Sequence, residues 1–402
     1  MSCKDCSTPC ASRQAPQPLH WRLDIGKIFR LLAVISLVAA YFVGQSLNQP
    51  SWIENIQAVY PKADITPSDH LDNTWEIHKD GEPVLLMSIA TENGYGGPMT
   101  VGTVITQDGM VKAVKILAHS DTPAYIQRLS NNFFYRQFEN QPVDRSFEAG
   151  KNFDVISGAT ISSNGIMKAH AAAAHYIARA EFGKHPVELK DDIRLSTSHY
   201  IMAALILLVL INIRLKNTTL KVAVILASLA VIGFMANQMI NVANFSALFL
   251  GFLPTLAGNP GFWLLGGAVF AGIIVLGRNI YCGNLCPFYA VQFVLSKISG
   301  LNLPLHPLIK RYAANLSKIG LWAGLMVGFL TTTPTAGSYE PFSMIFSLQG
   351  EGIQWYIMPA VVLACFFVPN LFCRFLCPAG EALTRITVAR NTLVHAIKGA
   401  RK

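Results

Sequence analysis

The chain has 402 residues, of which 52% are hydrophobic and only 14% are charged. Soluble globular proteins carry about 25% charged residues, so these values exclude a wholly soluble, disordered or collagen-like chain. The chain has a net charge of +9, but residues 50–195 are acidic, with 13 Lys and Arg against 18 Asp and Glu. The positive charge therefore comes from the rest of the chain. The remaining basic residues form short clusters between apolar runs, which is typical of membrane loops and argues against a nucleic-acid partner.

Six apolar runs approach the length of a membrane-spanning helix, and they predict six transmembrane helices. The first, at about 31–46, is predicted to be an uncleaved anchor, with a cleaved signal peptide as the alternative. The others lie near 198–213, 220–240, 260–280, 316–334 and 354–372. The loops at 241–259 and 335–353 contain no Lys or Arg. The positive-inside rule therefore predicts two cytoplasmic termini and an extracytoplasmic domain at 48–195.

The predicted fold class is an α-helical integral membrane protein with an extracytoplasmic α+β domain. Its segments are a cytoplasmic cysteine-containing tail (1–27), a transmembrane anchor (28–47), the extracytoplasmic domain (48–195) and a five-helix membrane region (196–402). In the tail, Cys3, Cys6 and Cys10 are one thiol short of the common four-cysteine cluster set. A fourth ligand from a partner, a zinc site and incidental cysteines all remain open interpretations of this tail.

Within the extracytoplasmic domain, β-rich runs at 100–105 and 111–117 flank an Asp-Gly pair and predict a hairpin. A loop that contains Thr122 follows, and then a helix is predicted at 124–137. Before the hairpin lies a glycine-rich bend formed by Tyr95, Gly96, Gly97 and Pro98. A flat ligand can approach the backbone closely at such a bend.

The sharpest signal in this domain is a run of small residues before a helix predicted at 162–180. Asp154 precedes this run, which consists of Ser157, Gly158, Ala159 and Thr160. The small neighbours leave the Thr160 hydroxyl sterically open, and a helix N-terminus just beyond it favours a phosphate group. Alternatively, the hydroxyl residues are only helix caps and the glycine only makes a turn. The residues alone leave both interpretations open.

The membrane region contains an internal repeat with an offset of 91 residues, in which Cys282 and Cys286 correspond to Cys373 and Cys377. Each copy is a helical hairpin followed by Cys-x3-Cys-Pro, and this spacing places both thiols on one face of a helix. Related hairpins bring the two pairs together, and four thiolates are the usual ligands of an iron–sulfur cluster or a structural zinc. The alternating topology places this set at the cytoplasmic edge of the membrane.

Two separate thiol switches and simple packing are the alternative interpretations of these cysteines. The lone Cys365 is expected to be a small apolar filler.

The motif from Asp154 to Thr160 resembles the flavinylation motif of FMN-binding domains, which occur in NqrC, RnfG and NosR/NirI-like proteins. The resemblance implies FMN joined by a phosphoester to Thr160 and attached outside the membrane by a flavin transferase. Asp154 is expected to aid transferase recognition or its Mg²⁺-assisted chemistry, with Mg²⁺ needed for attachment only. The bend at 95–98 and the loop with Thr122 also resemble parts of that domain.

With its two Cys-x3-Cys-Pro motifs, nearly the whole chain is similar to a NosR/NirI-like membrane flavoprotein. After Cys377 the sequence has 25 residues without a cysteine. It therefore resembles a short form without the C-terminal ferredoxin-like segment, and the cytoplasmic electron donor is expected to be a separate protein.

The resemblance implies an electron-transfer protein of the bacterial inner membrane, which connects a cytoplasmic-side metal centre with a periplasmic FMN. FMN suits this role because it links one-electron with two-electron chemistry. Expected partners are membrane lipid, the flavin transferase, a ferredoxin-like donor and a periplasmic acceptor. About 30 Å of membrane would separate the two centres, so a quinone, a second cofactor or a domain movement is expected to connect them.

The alternative function is a NosR-like regulatory or maturation factor for a periplasmic metalloenzyme such as nitrous oxide reductase. An ion pump or a transporter is disfavoured, because the predicted membrane helices contain no convincing internal carboxylate.

Overall fold

The computed structural model describes residues 25–48, 51–79, 81–187, 193, 195–301, 303–313, 315–347 and 354–400. Within these residues, apolar helices form one region and a five-stranded sheet with three helices forms a separate domain. The Cys3, Cys6 and Cys10 motif lies outside the described residues.

The sheet domain is built on a wholly antiparallel meander, in which each strand pairs with the next along the chain. Its strands are β1 (Asp64–Pro67), β2 (Thr74–His78), β3 (Leu85–Asn93), β4 (Pro98–Ile105) and β5 (Val111–His119). The predicted hairpin is confirmed as β4 and β5. Its turn requires Gly109, which has a φ of +77° that side chains other than glycine rarely adopt.

Three helices belong to the sheet domain: α2 (Trp52–Val59), α3 (Pro123–Asn131) and α4 (Thr160–Ala180). Helix α4 packs across β3 and β4, and its alanines bury a smooth face against the sheet. Gly165 permits this close approach, because a Cβ built there would lie 2.7 Å from the carbonyl oxygen of Asn93. The packing therefore fixes the start of α4 beside the bend that follows β3.

The helical region contains the remaining helices in chain order. They are α1 (Ile25–Leu47), α5 (Thr197–Leu215), α6 (Thr218–Ser228), α7 (Val242–Leu250), α8 (Pro260–Ala271), α9 (Pro287–Ser299), α10 (Pro307–Ala313), α11 (Leu316–Leu330), α12 (Phe342–Ser347), α13 (Gln354–Phe367), α14 (Leu371–Phe375) and α15 (Pro378–Ala400). π-Helical turns extend α6 to Met235 and α8 to Leu276.

Each of the six predicted apolar runs contains a helix. Four helical segments of the described chain are long and apolar enough to cross a membrane: Gly26–Leu47, Thr197–Leu215, Thr218–Met235 and Lys310–Leu330. The segments Pro260–Leu276 and Trp355–Phe367 are apolar but shorter. The protein is therefore a helical membrane protein with a separate sheet domain.

Two segments expected in loops outside the membrane instead run back between the helices, alongside α11. Gly324 of α11 contacts the backbone of Gly337, and Gly328 faces Ser246 of α7. Because these glycines have no side chain, α7 and the segment around Gly337 pack closely against the backbone of α11. The expectation that 241–259 and 335–353 are simple outer loops is therefore wrong for α7 and for the segment 334–342.

The sheet domain docks on the helical region through its β3–β4 bend and its β5–α3 loop. The Asn93 side-chain amide donates to the carbonyl oxygen of Leu253 at 3.1 Å, and the Thr335 hydroxyl donates to that of Ser120 at 3.0 Å. The Asn237 side-chain amide also donates to the Tyr125 hydroxyl at 2.8 Å. Both re-entrant segments thus begin directly beneath the sheet domain.

The predicted topology can be tested with single cysteines at the exposed positions Val187 and Lys216, which precede and follow α5 in the chain. We expect a membrane-impermeant maleimide to label Val187→Cys but not Lys216→Cys in intact spheroplasts, because basic loops stay in the cytoplasm. Serine replaces Cys3, Cys6 and Cys10 in this background, and labelling after lysis is the control. External labelling of Lys216→Cys would contradict the topology.

Candidate functional site

Thr160 is the first residue of α4 and its side chain is exposed. Its hydroxyl makes only a long hydrogen bond of 3.5 Å to the carbonyl oxygen of Ile156. The N-cap position belongs to Ala159, whose side chain makes no capping hydrogen bond. Thr160 is therefore not the N-cap of α4, and its hydroxyl is accessible, whereas Gly158 makes the turn that the alternative interpretation expected.

The neighbouring hydroxyls of α4 are buried and already bonded. Ser162 donates to a carboxylate oxygen of Asp121 at 2.5 Å. Ser163 donates to the carbonyl oxygen of Ala159 at 2.9 Å and accepts the backbone N–H of Ile156 at 3.1 Å. Both serines are fully buried. Thr160 is therefore the accessible hydroxyl in the first turn of this helix.

The loop before Thr160 is exposed and lies against a cation. Asp154, Ser157 and Gly158 are exposed, whereas Ala159 is buried. Gly158 has a φ of +79°, and a Cβ built there would lie 3.0 Å from a guanidinium nitrogen of Arg128. Sequence reasoning missed Arg128, whose only signal is a basic residue in the last turn of α3. A guanidinium fork at this place suits a phosphate group.

The Asp121 carboxylate joins the separate parts of the predicted site. It accepts the backbone N–H of Gly96 at 2.8 Å and that of Tyr95 at 3.2 Å, and also that of Thr122 at 2.7 Å. With the hydroxyl of Ser162 it has four donors, although only 1% of the residue is exposed. Burial raises the pKa of Asp121, and the four hydrogen bonds offset part of that cost. Sequence reasoning missed this residue as well.

A cavity of about 330 Å³, here called the interface cavity, lies between the sheet domain and the helices. Its lining includes Tyr95, Gly96, Asp121 and Thr122 on one side, and Asn241, Asn244, Phe262 and Thr335 on the other. Gly97 and Pro98, the other two predicted residues of the bend, do not line the cavity but hold the bend in place through backbone hydrogen bonds. The carbonyl oxygen of Gly97 accepts the N–H of Gly94, and that of Pro98 accepts the N–H of Ser120. The mixed aromatic and polar lining suits a flat heterocycle.

The four predicted cysteines line a single second cavity of about 200 Å³, here called the cysteine cavity. They are Cys282, Cys286, Cys373 and Cys377, and all four are free thiols. In the described part of the chain, no three His, Cys, Asp or Glu side chains are arranged to hold one metal ion. The four cysteines line one shared space, and an iron–sulfur cluster takes one thiolate from each of four cysteines. The shared location does not favour two separate thiol switches.

The sulfur atoms face hydrogen-bond donors, as thiolate ligands require. The Asn279 amide donates to Cys282 Sγ at 3.1 Å, and the Gly380 N–H donates to Cys377 Sγ at 3.2 Å. Such donors around the ligands stabilise negative charge on a cluster. The residues present therefore fit an iron–sulfur cluster.

The cysteine cavity lies beside the first turns of α11, because Ser317 lines it. The Tyr339 hydroxyl, next to Gly320 of α11, donates to the carbonyl oxygen of Leu376 at 2.5 Å. Leu330 marks the end of α11 nearest the sheet domain, so Gly320 is about 15 Å below that end at 1.5 Å per residue. The four cysteines therefore lie toward the end of α11 opposite the sheet domain, and their position at the cytoplasmic edge of the membrane stays a prediction.

The interface cavity and the cysteine cavity are neighbours that share a wall. Met239 and Asn241 line the former while Ile240 lines the latter, and Phe342 lines both. Glu340 belongs to the same wall, with 2% of its surface exposed, and accepts the N–H of Val242 at 3.1 Å. Glu340 belongs to the segment 335–353, which the sequence analysis predicted to be an outer loop. One layer of residues therefore separates the two candidate cofactor sites.

Comparisons with known proteins agree with both sites. The family model described as "FMN-binding domain" matches residues 94–175, and that described as "4Fe-4S binding domain" matches 259–306 and 356–382. These segments contain the bend at 95–98, the motif ending at Thr160 and both cysteine pairs. The chain is NosR/NirI-like, with an FMN-binding domain and a 4Fe-4S binding domain.

Three relatives illustrate this similarity. Regulatory protein NosR of Pseudomonas aeruginosa is 29% identical over 38% of this chain and 23% of its own length. Protein NirI of Paracoccus denitrificans is 27% identical over 39% of this chain and 25% of its own. A component of the ion-translocating oxidoreductase complex of Methanosarcina acetivorans is 26% identical over 39% of this chain and 97% of its own. The chain thus matches only about a quarter of the NosR and NirI sequences.

The Asp121 contacts predict a specific loss of stability in the FMN-binding domain. We expect Asp121→Ala to destabilise that domain by about 3 kcal/mol, because three partly buried N–H groups and one buried hydroxyl lose their acceptor. Asp121→Asn, which keeps one acceptor oxygen, should cost less. Thermal unfolding of the purified chain, followed by differential scanning calorimetry, measures the effect. The exposed Asp64 provides the control, because Asp64→Ala should change stability by less than about 0.5 kcal/mol. Equal stability of Asp121→Ala and the control would contradict this role.

Proposed function

We propose that this NosR/NirI-like protein transfers electrons between an iron–sulfur cluster in the cysteine cavity and an FMN whose ring occupies the interface cavity. The wall shared by the two cavities carries the proposal, because Phe342 lines both of them. Redox centres on either side of one residue layer need no third carrier between them. A quinone then acts outside this route, as an external partner.

The FMN is covalently attached to Thr160 through its phosphate. The exposed Thr160 hydroxyl supports this assignment, as do the buried, bonded hydroxyls of its serine neighbours. Arg128 pairs with the phosphodiester, since its guanidinium lies against Gly158. Asp154 and Ser157 lie on the exposed loop, where a flavin transferase with its Mg²⁺ can reach them.

The flavin ring needs a flat pocket with polar groups at its edge. In the interface cavity, Tyr95 and Phe262 provide aromatic surface, while Asn241, Asn244 and Thr335 provide polar groups. When bound, FMN supplies the exchange between one-electron and two-electron chemistry. The helical region thus completes a site that the FMN-binding domain begins.

The protein works in the bacterial inner membrane with both termini in the cytoplasm and the FMN-binding domain in the periplasm. The cluster exchanges electrons with a separate cytoplasmic ferredoxin-like protein, and the FMN exchanges them with a periplasmic acceptor. The relatives that are named as parts of oxidoreductase complexes favour this assignment of redox partners.

A second candidate function is regulation, because two of the relatives are named regulatory protein NosR. The same pair of redox sites would then report the state of the membrane to a periplasmic metalloenzyme system. Direct electron transfer within the chain is common to both candidate functions.

The first test concerns the flavin attachment. We expect Thr160→Ala to abolish in-gel flavin fluorescence of denatured protein that was co-expressed with a flavin transferase, because the accepting hydroxyl is removed. Thr160→Ser keeps a hydroxyl and should retain part of the signal. Mass spectrometry of the wild-type peptide should show about 438 Da of added mass, the size of FMN less water. An unmodified wild-type peptide under these conditions would overturn the covalent assignment.

The second test concerns electron transfer itself. We expect anaerobic illumination with EDTA, which photoreduces FMN, to produce the EPR signal of a reduced cluster in the wild-type protein. Thr160→Ala lacks the flavin and should show the signal only with dithionite. Cys373→Ser should lose most of its iron, whereas the matched control Cys365→Ala should retain it. Photoreduction of FMN without a cluster signal would contradict direct transfer.

A further inference from the structure

One buried glutamine connects the two halves of the internal repeat at the cysteine cavity. Gln292 of α9 belongs to the first repeat, yet its side-chain amide donates to Cys373 Sγ of the second repeat at 2.9 Å. Only 1% of Gln292 is exposed. A buried amide is costly unless it is hydrogen-bonded, so its retention among apolar helices indicates a specific interaction.

The hydrogen bonds of Gln292 fix which end of its amide faces the sulfur. Its Oε1 accepts the backbone N–H of Phe372 at 3.1 Å and the thiol of Cys365 at 3.4 Å. A backbone N–H can only donate, so the oxygen must face Phe372 and the NH₂ group must face Cys373. Cys365, expected to be a simple filler, thus helps to orient this amide.

The two repeats differ at the positions that supply these donors. In the first, Asn279 donates to Cys282 Sγ from three residues upstream. Its equivalent Asn370 has a φ of +55°, and no hydrogen-bond partner reaches its buried side-chain oxygen. No bond from Asn370 to Cys373 is present among the described contacts. The position equivalent to Gln292 is Leu383, which is fully buried and cannot donate.

We infer that Gln292 is a positioning residue that replaces the missing Asn370 contact, and that it raises the reduction potential of the cluster through its N–H···S bond to Cys373. This inference rests on the proposed iron–sulfur function of the four cysteines. Hydrogen bonds to cluster sulfurs stabilise the more negative, reduced state, and they are among the determinants of cluster potentials. The first cysteine of each pair thus receives one amide N–H, from non-equivalent positions.

The test is an EPR-monitored redox titration of the full-length, cluster-loaded protein. We expect Gln292→Leu, which reproduces the residue of the second repeat, to shift the midpoint potential to a more negative value while the iron content remains that of the wild type. Asn279→Ala should shift it in the same direction. Asn370→Gly is the matched control, because it preserves the positive φ and removes a side chain without a sulfur contact, so its midpoint should not move.

Two results would overturn the inference. One is an unchanged midpoint in Gln292→Leu at full iron content. The other applies if Gln292→Leu loses its cluster, and it is then the absence, in electron spin echo spectra of the reduced wild-type and Asn279→Ala clusters, of any nitrogen coupling beyond those of Asn279 and Gly380. A wild-type protein without iron would instead contradict the proposed function, so the two failures are distinguishable.

Discussion

The Asp121 carboxylate is the interaction on which the flavin site depends. It holds the β3–β4 bend, the β5–α3 loop and the first turn of α4 in one arrangement, through four hydrogen bonds. These elements are far apart in sequence and share few other polar contacts. A single acceptor satisfies three partly buried backbone donors at once, and its bond to Ser162 holds the first turn of α4, which begins at Thr160, beside the bend and the loop that line the interface cavity.

In the helical region, glycines rather than a buried charge hold segments that are distant in sequence together. Gly324, Gly328 and Gly337 permit two non-spanning segments to pack against α11, and these segments bring Glu340 and Phe342 to the wall between the two cavities. The N-terminus of α7 is satisfied by the Glu340 carboxylate, which accepts the N–H of Val242. Irregular backbone at this depth is tolerated because it is enclosed by protein.

The elements that depend on local pattern could be predicted from the sequence. The six apolar runs, the hairpin at Gly109, the open Thr160 and the four cysteines follow from hydropathy, turn chemistry and spacing. Asp121, Arg128 and Gln292 could not be found in this way, because the partners that give them their roles lie 25 to 81 residues away along the chain and are brought close by tertiary packing.

The docking contacts limit how freely the two domains can be exchanged during evolution. The similarity to the oxidoreductase-complex component of Methanosarcina acetivorans extends over 97% of that protein, which indicates that an FMN-binding domain can exist as a separate polypeptide. Here Asn237 and Thr335 hold such a domain against its neighbour, and both domains contribute to the interface cavity. Recombination that replaced one domain by that of another lineage would pair two sets of cavity-lining residues that do not match. The two regions are therefore expected to be inherited together, as one redox unit.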